Sequence, residues 1–263
     1  MSTINYAEAY GYNSLAAAII FAIPYLPYCG FFVFRFIRSP TYVYGALSLF
    51  CAFRVTAFII RAVMIGSDAA GENLNLLIGD QVLFGVGFFG LLYAAYTLVL
   101  DRGLLSEAPP ANDRISQLGG NRRLFRILLI VGMGLGIAGI TSSSNNPSSS
   151  SASGVRKASV IIFLVLTVVQ AYLTFVLIMR ERQDGYRPLH SAAGFGERHG
   201  AFIVCAISLL LLVREIFMVA TISNEEREIN EHFWYPLVAV PEILAVLLYC
   251  APGLVPPRSQ LPK

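Results

Sequence analysis

Apolar residues run through the chain in seven long stretches, at 14–37, 41–65, 74–100, 124–141, 157–179, 200–222 and 233–255, separated by shorter polar connections. A helix needs about 20 apolar residues to cross a hydrocarbon core of roughly 30 Å, and these stretches have that scale. Hydrocarbon offers no water to unpaired backbone groups, so an isolated crossing segment must close its own hydrogen bonds as a helix. The alternating segments of about ten residues that build a membrane β-barrel are absent. The pattern predicts an all-α fold, a single domain over 1–263 in which seven transmembrane helices form an integral membrane bundle. No basic region and small-residue cleavage site bracket a short apolar core at the N-terminus, so the first stretch reads as a retained helix.

Hydrophobic residues make up 56% of the 263 and charged residues 13%, against about 25% charged in an average soluble domain. Mean hydropathy is +0.65, more apolar surface than a soluble fold of this size can hide. The 19 Lys and Arg are unevenly shared between alternate connections. Thirteen fall on one side: Arg35, Arg38, Arg102, Arg114, Arg122, Arg123, Arg126, Arg180, Arg182, Arg187, Arg198, Arg258 and Lys263. Only Arg156, Lys157 and Arg227 fall on the other. The positive-inside rule then places the N-terminus outside or in a lumen and the C-terminus in the cytosol. The net charge of +3 is a topology signal, and no nucleic-acid partner is expected.

The Ser/Asn-rich segment 142–154 is too polar to bury a core and reads as a flexible outer loop. Glu225, Glu226, Glu228 and Glu231 make the outer rim between the last two spans acidic. Tyr42, Tyr44, Tyr235 and Tyr249 read as an interfacial aromatic belt, and Pro24, Pro27, Pro236 and Pro241 as sites that free backbone carbonyls and kink the first and last helices. Cys29, Cys51, Cys205 and Cys250 all lie in spans, which argues against a disulfide framework.

Two matches to G-x-G-x-x-G, at Gly85, Gly87, Gly90 and at Gly134, Gly136, Gly139, lie inside apolar helices with no preceding strand, so they do not signal nucleotide binding. Gly132 and Gly136 instead have the small-xxx-small spacing of close helix packing. The only lysines, Lys157 and Lys263, sit at no position for a retinal Schiff base. His190, His199 and His232 lack metal-ligand spacing. No metal or other cofactor is expected.

Six ionisable residues fall within the spans: Arg54, Arg61, Asp80, Arg214, Glu215 and Glu242. Each costs roughly 2.5 to 3.5 kcal/mol at mid-membrane, so each should face the bundle interior or water and find a partner. Arg54 and Glu242 fall near the midplane and the other four in the outer half, which suggests a polar chamber opening outward, with Gln81 and Gln170 adding neutral groups. Arg214 and Glu215 point about 100° apart on a helix, and so are expected to serve different partners. Two readings stand: buried ion pairs that fix the helix arrangement, or a binding site in which arginines hold a phosphate or carboxylate and Asp80 and Glu242 an amine.

At these residues the chain resembles the fungal lipid-translocating exporter family, also called RTA-like, whose members have seven transmembrane helices. The segment from Tyr10 to Phe21 looks like the family's opening YGYxPSLAAN without its proline. Arg61, Gln81 and Gln170 stand where the family has an arginine ending the second helix and glutamines in the third and fifth. Leu212-Val-Arg-Glu-Ile-Phe217 resembles its LxVRSIFR, and Glu231-His-Phe-Trp-Tyr235 with Pro241, Pro252 and Gly253 resembles its EWxxY, P and HPG pattern. The chain departs from it at Arg54, Thr221 and Val238, where acids are expected, at Met218, where an arginine is, and at Glu242, where an apolar residue is. It fits a distant member or a related fungal seven-helix family of unknown function. The resemblance implies export or flipping of sphingoid bases or other amphiphiles in membrane stress, and a fungal source.

The expected function is non-enzymatic: a plasma-membrane or endomembrane protein that binds or translocates an amphiphilic lipid or drug among its lipid partners. The candidate site comprises Arg54, Arg61, Asp80, Gln81, Gln170, Arg214, Glu215 and Glu242. The alternative is a receptor-like sensor whose arginine-rich connections after the third and fifth spans engage a cytosolic partner. Asp101-Arg102, at the end of the third span, echoes a receptor acid-arginine pair.

Overall fold

The computed structural model describes residues 5–105, 114–145, 150–183, 195–224, 227 and 229–260. Among them every regular element is helical. Seven helices are long and apolar enough to cross a membrane: α1 (Leu15–Arg38), α2 (Tyr42–Gly66), α3 (Leu74–Leu105), α4 (Arg122–Asn145), α5 (Ser150–Gln183), α6 (Gly200–Thr221) and α7 (Glu231–Tyr249). The protein is thus an all-α, seven-helix membrane bundle. The Ser14 hydroxyl accepts from the Ala17 amide at 3.1 Å to start α1, and Thr41 caps α2 in the same way. Each cap satisfies an amide that has no partner in the first turn.

Neighbours in sequence pack against one another, α1 on α2, α2 on α3, α3 on α4, α4 on α5, α5 on α6 and α6 on α7, and α7 returns to α1. The most deeply buried helix is α3, which also touches α5 and α6. Apolar side chains such as Ile20, Leu49, Ile127, Val165 and Leu209 cover the outside, where hydrocarbon is the matching solvent. The glycines serve packing. A Cβ on Gly90 would lie 3.3 Å from the Ala46 carbonyl, and one on Gly136 or Gly139 would lie 2.9 Å from Ser159 Oγ or 2.8 Å from the Arg156 amide.

That close α4–α5 contact accounts for a departure from the expected loop at 142–154. Residues 142–145 continue α4 and 150–154 begin α5. Serine costs at most about 0.7 kcal/mol in a helix, and helices already locked together carry it. The centre of that segment, Asn146 and Pro147, lies outside the described residues, as do Glu225, Glu226, Glu228, Arg187, His190 and Lys263.

The aromatic belt is also corrected. Tyr42 is 65% exposed, but Tyr44, Tyr235 and Tyr249 are buried in the bundle core, since their helix faces point inward. Despite Pro24 and Pro27, α1 is one helix. In α7 the prolines matter more: Tyr235–Ala239 forms a π-helical turn between α-helical Glu231–Trp234 and Val240–Tyr249. Pro241 lacks the amide that would bond the Leu237 carbonyl, and the wider turn absorbs the missing bond. All four cysteines are free thiols.

Candidate functional site: an arginine-carboxylate chamber

Arg54 on α2 is fully buried, and hydrogen bonds surround its guanidinium. Its Nε and Nη2 donate to the two oxygens of Glu242 on α7, each at 2.6 Å, and Nη1 donates to the Phe84 carbonyl on α3 at 3.0 Å. The Phe50 and Phe84 ring centres lie 4.8 and 4.5 Å away. Gly87 makes the room, because a Cβ there would come within 2.8 Å of Arg54 Nη1. A two-point Arg–carboxylate pair is the strongest form of this contact, and in hydrocarbon it discharges two otherwise costly charges together.

Arg214 on α6 extends the pair into a cluster. Its Nε donates to Glu242 Oε1 at 3.2 Å, its Nη1 donates to the Glu215 carboxylate, and its guanidinium lies 3.7 Å from the Phe88 ring centre. Arg214 and Glu215 therefore pair with each other, contrary to the expectation of separate partners. Both side chains are long enough to bend toward one another across the 100° between their Cβ directions.

A second pair lies toward the N-terminal end of the bundle. Arg61 Nη2 sits 2.9 Å from Asp80 Oδ2, and the Tyr12 hydroxyl donates to the same oxygen at 2.7 Å. The rings of Tyr12, Trp234 and Phe84 cluster around the Arg61 guanidinium at 4.2, 4.3 and 4.6 Å. Tyr12 arrives from outside the helices. A turn at Gly11, with φ of 68°, a left-handed value that favours glycine, swings the chain inward. Glu231 then accepts the amides of Asn13 and Ser14 at 3.2 and 3.1 Å. Burial, then the Asp80 charge, with Arg61 opposing, raises the Tyr12 pKa well above its ordinary value, so the phenol stays protonated and donates.

Between these groups lies a cavity of about 270 Å³. Its lining combines the polar groups of Arg61, Asp80, Gln81, Arg156, Ser159, Arg214, Glu215 and Glu231 with apolar side chains, among them Met133 and Ile137 from α4 and Val160 and Phe163 from α5. Five of the eight sequence-predicted residues thus line one chamber. Arg54 and Glu242 stand behind it and hold Arg214 in place. Gln170 is elsewhere: its Nε2 donates to Ser208 Oγ at 2.9 Å and Thr174 Oγ1 at 3.1 Å, within a fully buried α5–α6 tie. Sequence reasoning missed Tyr12 and Trp234, although Trp234 is the single tryptophan of the chain.

Over residues 12–256 the chain matches the family described as Domain of unknown function (DUF7702). No curated protein and no solved structure matches it. The match covers nearly all of the seven-helix bundle and every residue of the chamber from Tyr12 onward, and the chain belongs to the DUF7702 family.

Proposed function

We propose that the protein binds an amphiphilic lipid or drug in this chamber and carries it between membrane and aqueous phase, in the manner the resemblance to lipid-translocating exporters implies. The supporting observation is a cavity whose lining brings charged groups and an amide together with aliphatic and aromatic side chains. Ligand pockets combine apolar surface with a few converging polar groups in this way. The ligand is bound and released unchanged. The distribution of Lys and Arg supports a cytosolic C-terminus, so the chamber, at the N-terminal end of the bundle, opens to the outer or lumenal side of a plasma or internal membrane.

Gly85 lines the cavity and a Cβ there meets nothing within 4 Å. Gly85→Phe should therefore fill the space without disturbing an ion pair. Lipidomics of the purified protein should find an amphiphile in wild type that is lost from Gly85→Phe at unchanged thermal stability. Identical lipid content in both would sink the proposal.

A second reading, a sensor that signals to a cytosolic partner, draws on Arg102 at the opposite end. Its buried guanidinium reaches the carbonyls of Glu197, Gly196 and Leu254 at 3.3, 3.5 and 3.5 Å, and the Glu181 carboxylate at 3.5 Å. Through it α3 is pinned to α5, the entrance to α6 and the C-terminal segment, so a ligand-driven shift of α3 reaches that face. Affinity capture with wild type and Arg102→Ala should recover a cytosolic protein whose yield differs between the two. Failure to recover any specific protein counts against this reading.

A further inference from the structure

We propose that Asn5–Ser14, the segment ahead of α1, is a strap across the outer mouth of the chamber, latched to the Arg61–Asp80 pair through Tyr12, and that ligand passes when the strap lifts. What passes rests on the binding reading above; the strap itself does not. Ala9, Tyr10 and Tyr12 line the cavity together with Ile229 and Glu231, which lead into α7. Three polar contacts fasten the segment there. The Tyr12 hydroxyl donates to Asp80 Oδ2 at 2.7 Å, and Glu231 accepts the Asn13 and Ser14 amides at 3.2 and 3.1 Å. At the end far from α1, a Cβ on Gly71, between α2 and α3, would lie 3.3 Å from Asn5 Cγ.

The segment is held far more lightly than the helices it covers. Its single helical turn, Tyr6–Ala9, is too short to persist on its own in water. Ala7 and Tyr12 pack with Met64 and Leu77 in a small apolar cluster separate from the main core, and Glu8, Ala9 and Asn13 are exposed. Regions with few buried apolar contacts open at a fraction of the global stability. Gly11, at a φ of 68°, gives the segment a hinge between its helical turn and Tyr12. Lifting takes the Tyr12 hydroxyl off Asp80 and its ring off the Arg61 guanidinium, 4.2 Å away. The ion pair survives, because Arg61 Nη2 donates directly to Asp80 Oδ2 at 2.9 Å, and it is then presented to an entering polar group.

Gly85 lines the cavity with open space at its Cβ, so Gly85→Cys, with the native cysteines replaced, puts a thiol inside. The test follows its modification by a charged methanethiosulfonate in purified protein, read at position 85 by mass spectrometry. Tyr12→Phe removes the latch to Asp80 and keeps the ring; it should raise the rate about tenfold or more, the scale of one hydrogen bond to a carboxylate. Asn5→Cys with Gly71→Cys, close enough for a disulfide, fixes the far end of the strap. Once oxidised, this protein should label more slowly than the same protein kept reduced. The proposal requires both shifts, and either one missing overturns it. Faster labelling in Tyr12→Phe alone would mean a loosened bundle, and a rate that neither change moves would mean that the chamber is reached elsewhere. No ligand is added, so the result is independent of the lipidomics: an empty chamber in wild type sinks the binding reading and leaves the labelling result standing.

Discussion

Glu242 answers two guanidinium groups at once, Arg54 through both oxygens and Arg214 through one. Replacing it by Gln leaves Arg54 without an anion in hydrocarbon and Arg214 with Glu215 alone, and should cost about 3–5 kcal/mol. Arg54→Met with Glu242→Leu removes the pair together and should cost much less, since Arg214 keeps Glu215; thermal unfolding in detergent separates the two outcomes. Equal losses would mean that the pair itself stabilises the fold. In the same assay Gly87→Ala should cost about 1–3 kcal/mol, as its methyl displaces Arg54 Nη1. The sequence marked all six intramembrane charges, because any ionisable group there needs a partner. It did not reveal the pairing: Arg54 and Glu242 are 188 residues apart, and Tyr12 and Asp80 are 68 apart. Tyr12 and Trp234 fall within the segments that carry the family resemblance, yet they were not assigned to the site, because nothing local distinguishes a ring that stacks on arginine.

The π-helical turn at Tyr235–Ala239 decides which way the two halves of α7 face. Below it Glu242 meets Arg54; above it Trp234 meets Arg61. One residue more or less in the turn rotates one half by about 100° relative to the other. Pro241→Ala restores an amide and permits an ordinary α-helical turn. It should move Trp234 out of its position over Arg61, change its emission and reduce ligand retention. Unaltered emission would show that packing against α2 and α3 holds the turn without the proline. Prolines in the last span signalled a distortion of the helix, but its form depended on what α7 must touch on either side. Gln170 shows the same limit, because its place in the chain does not say whether it faces the chamber or α6.

The orientation of the bundle rests on the arginine and lysine distribution alone, and it has a direct check. With the native cysteines replaced, Ser223→Cys, between α6 and α7, should react with an impermeant maleimide from the non-cytosolic side. Gln117→Cys, between α3 and α4, should react only after permeabilisation. Both positions are exposed. The reverse pattern would invert the topology and turn the chamber mouth toward the cytosol.

The seven spans, the helical class and the set of intramembrane charges were determined by sequence alone, because crossing hydrocarbon imposes a length, a composition and a cost on each segment separately. The tertiary structure decided the rest. It paired Arg54 with Glu242 and Arg61 with Asp80, folded Tyr12 back over α2 and α3, extended α4 and α5 into the serine-rich segment, and moved Gln170 out of the site. Those outcomes depend on which helix faces meet, and facing is set by contacts between residues far apart in the chain.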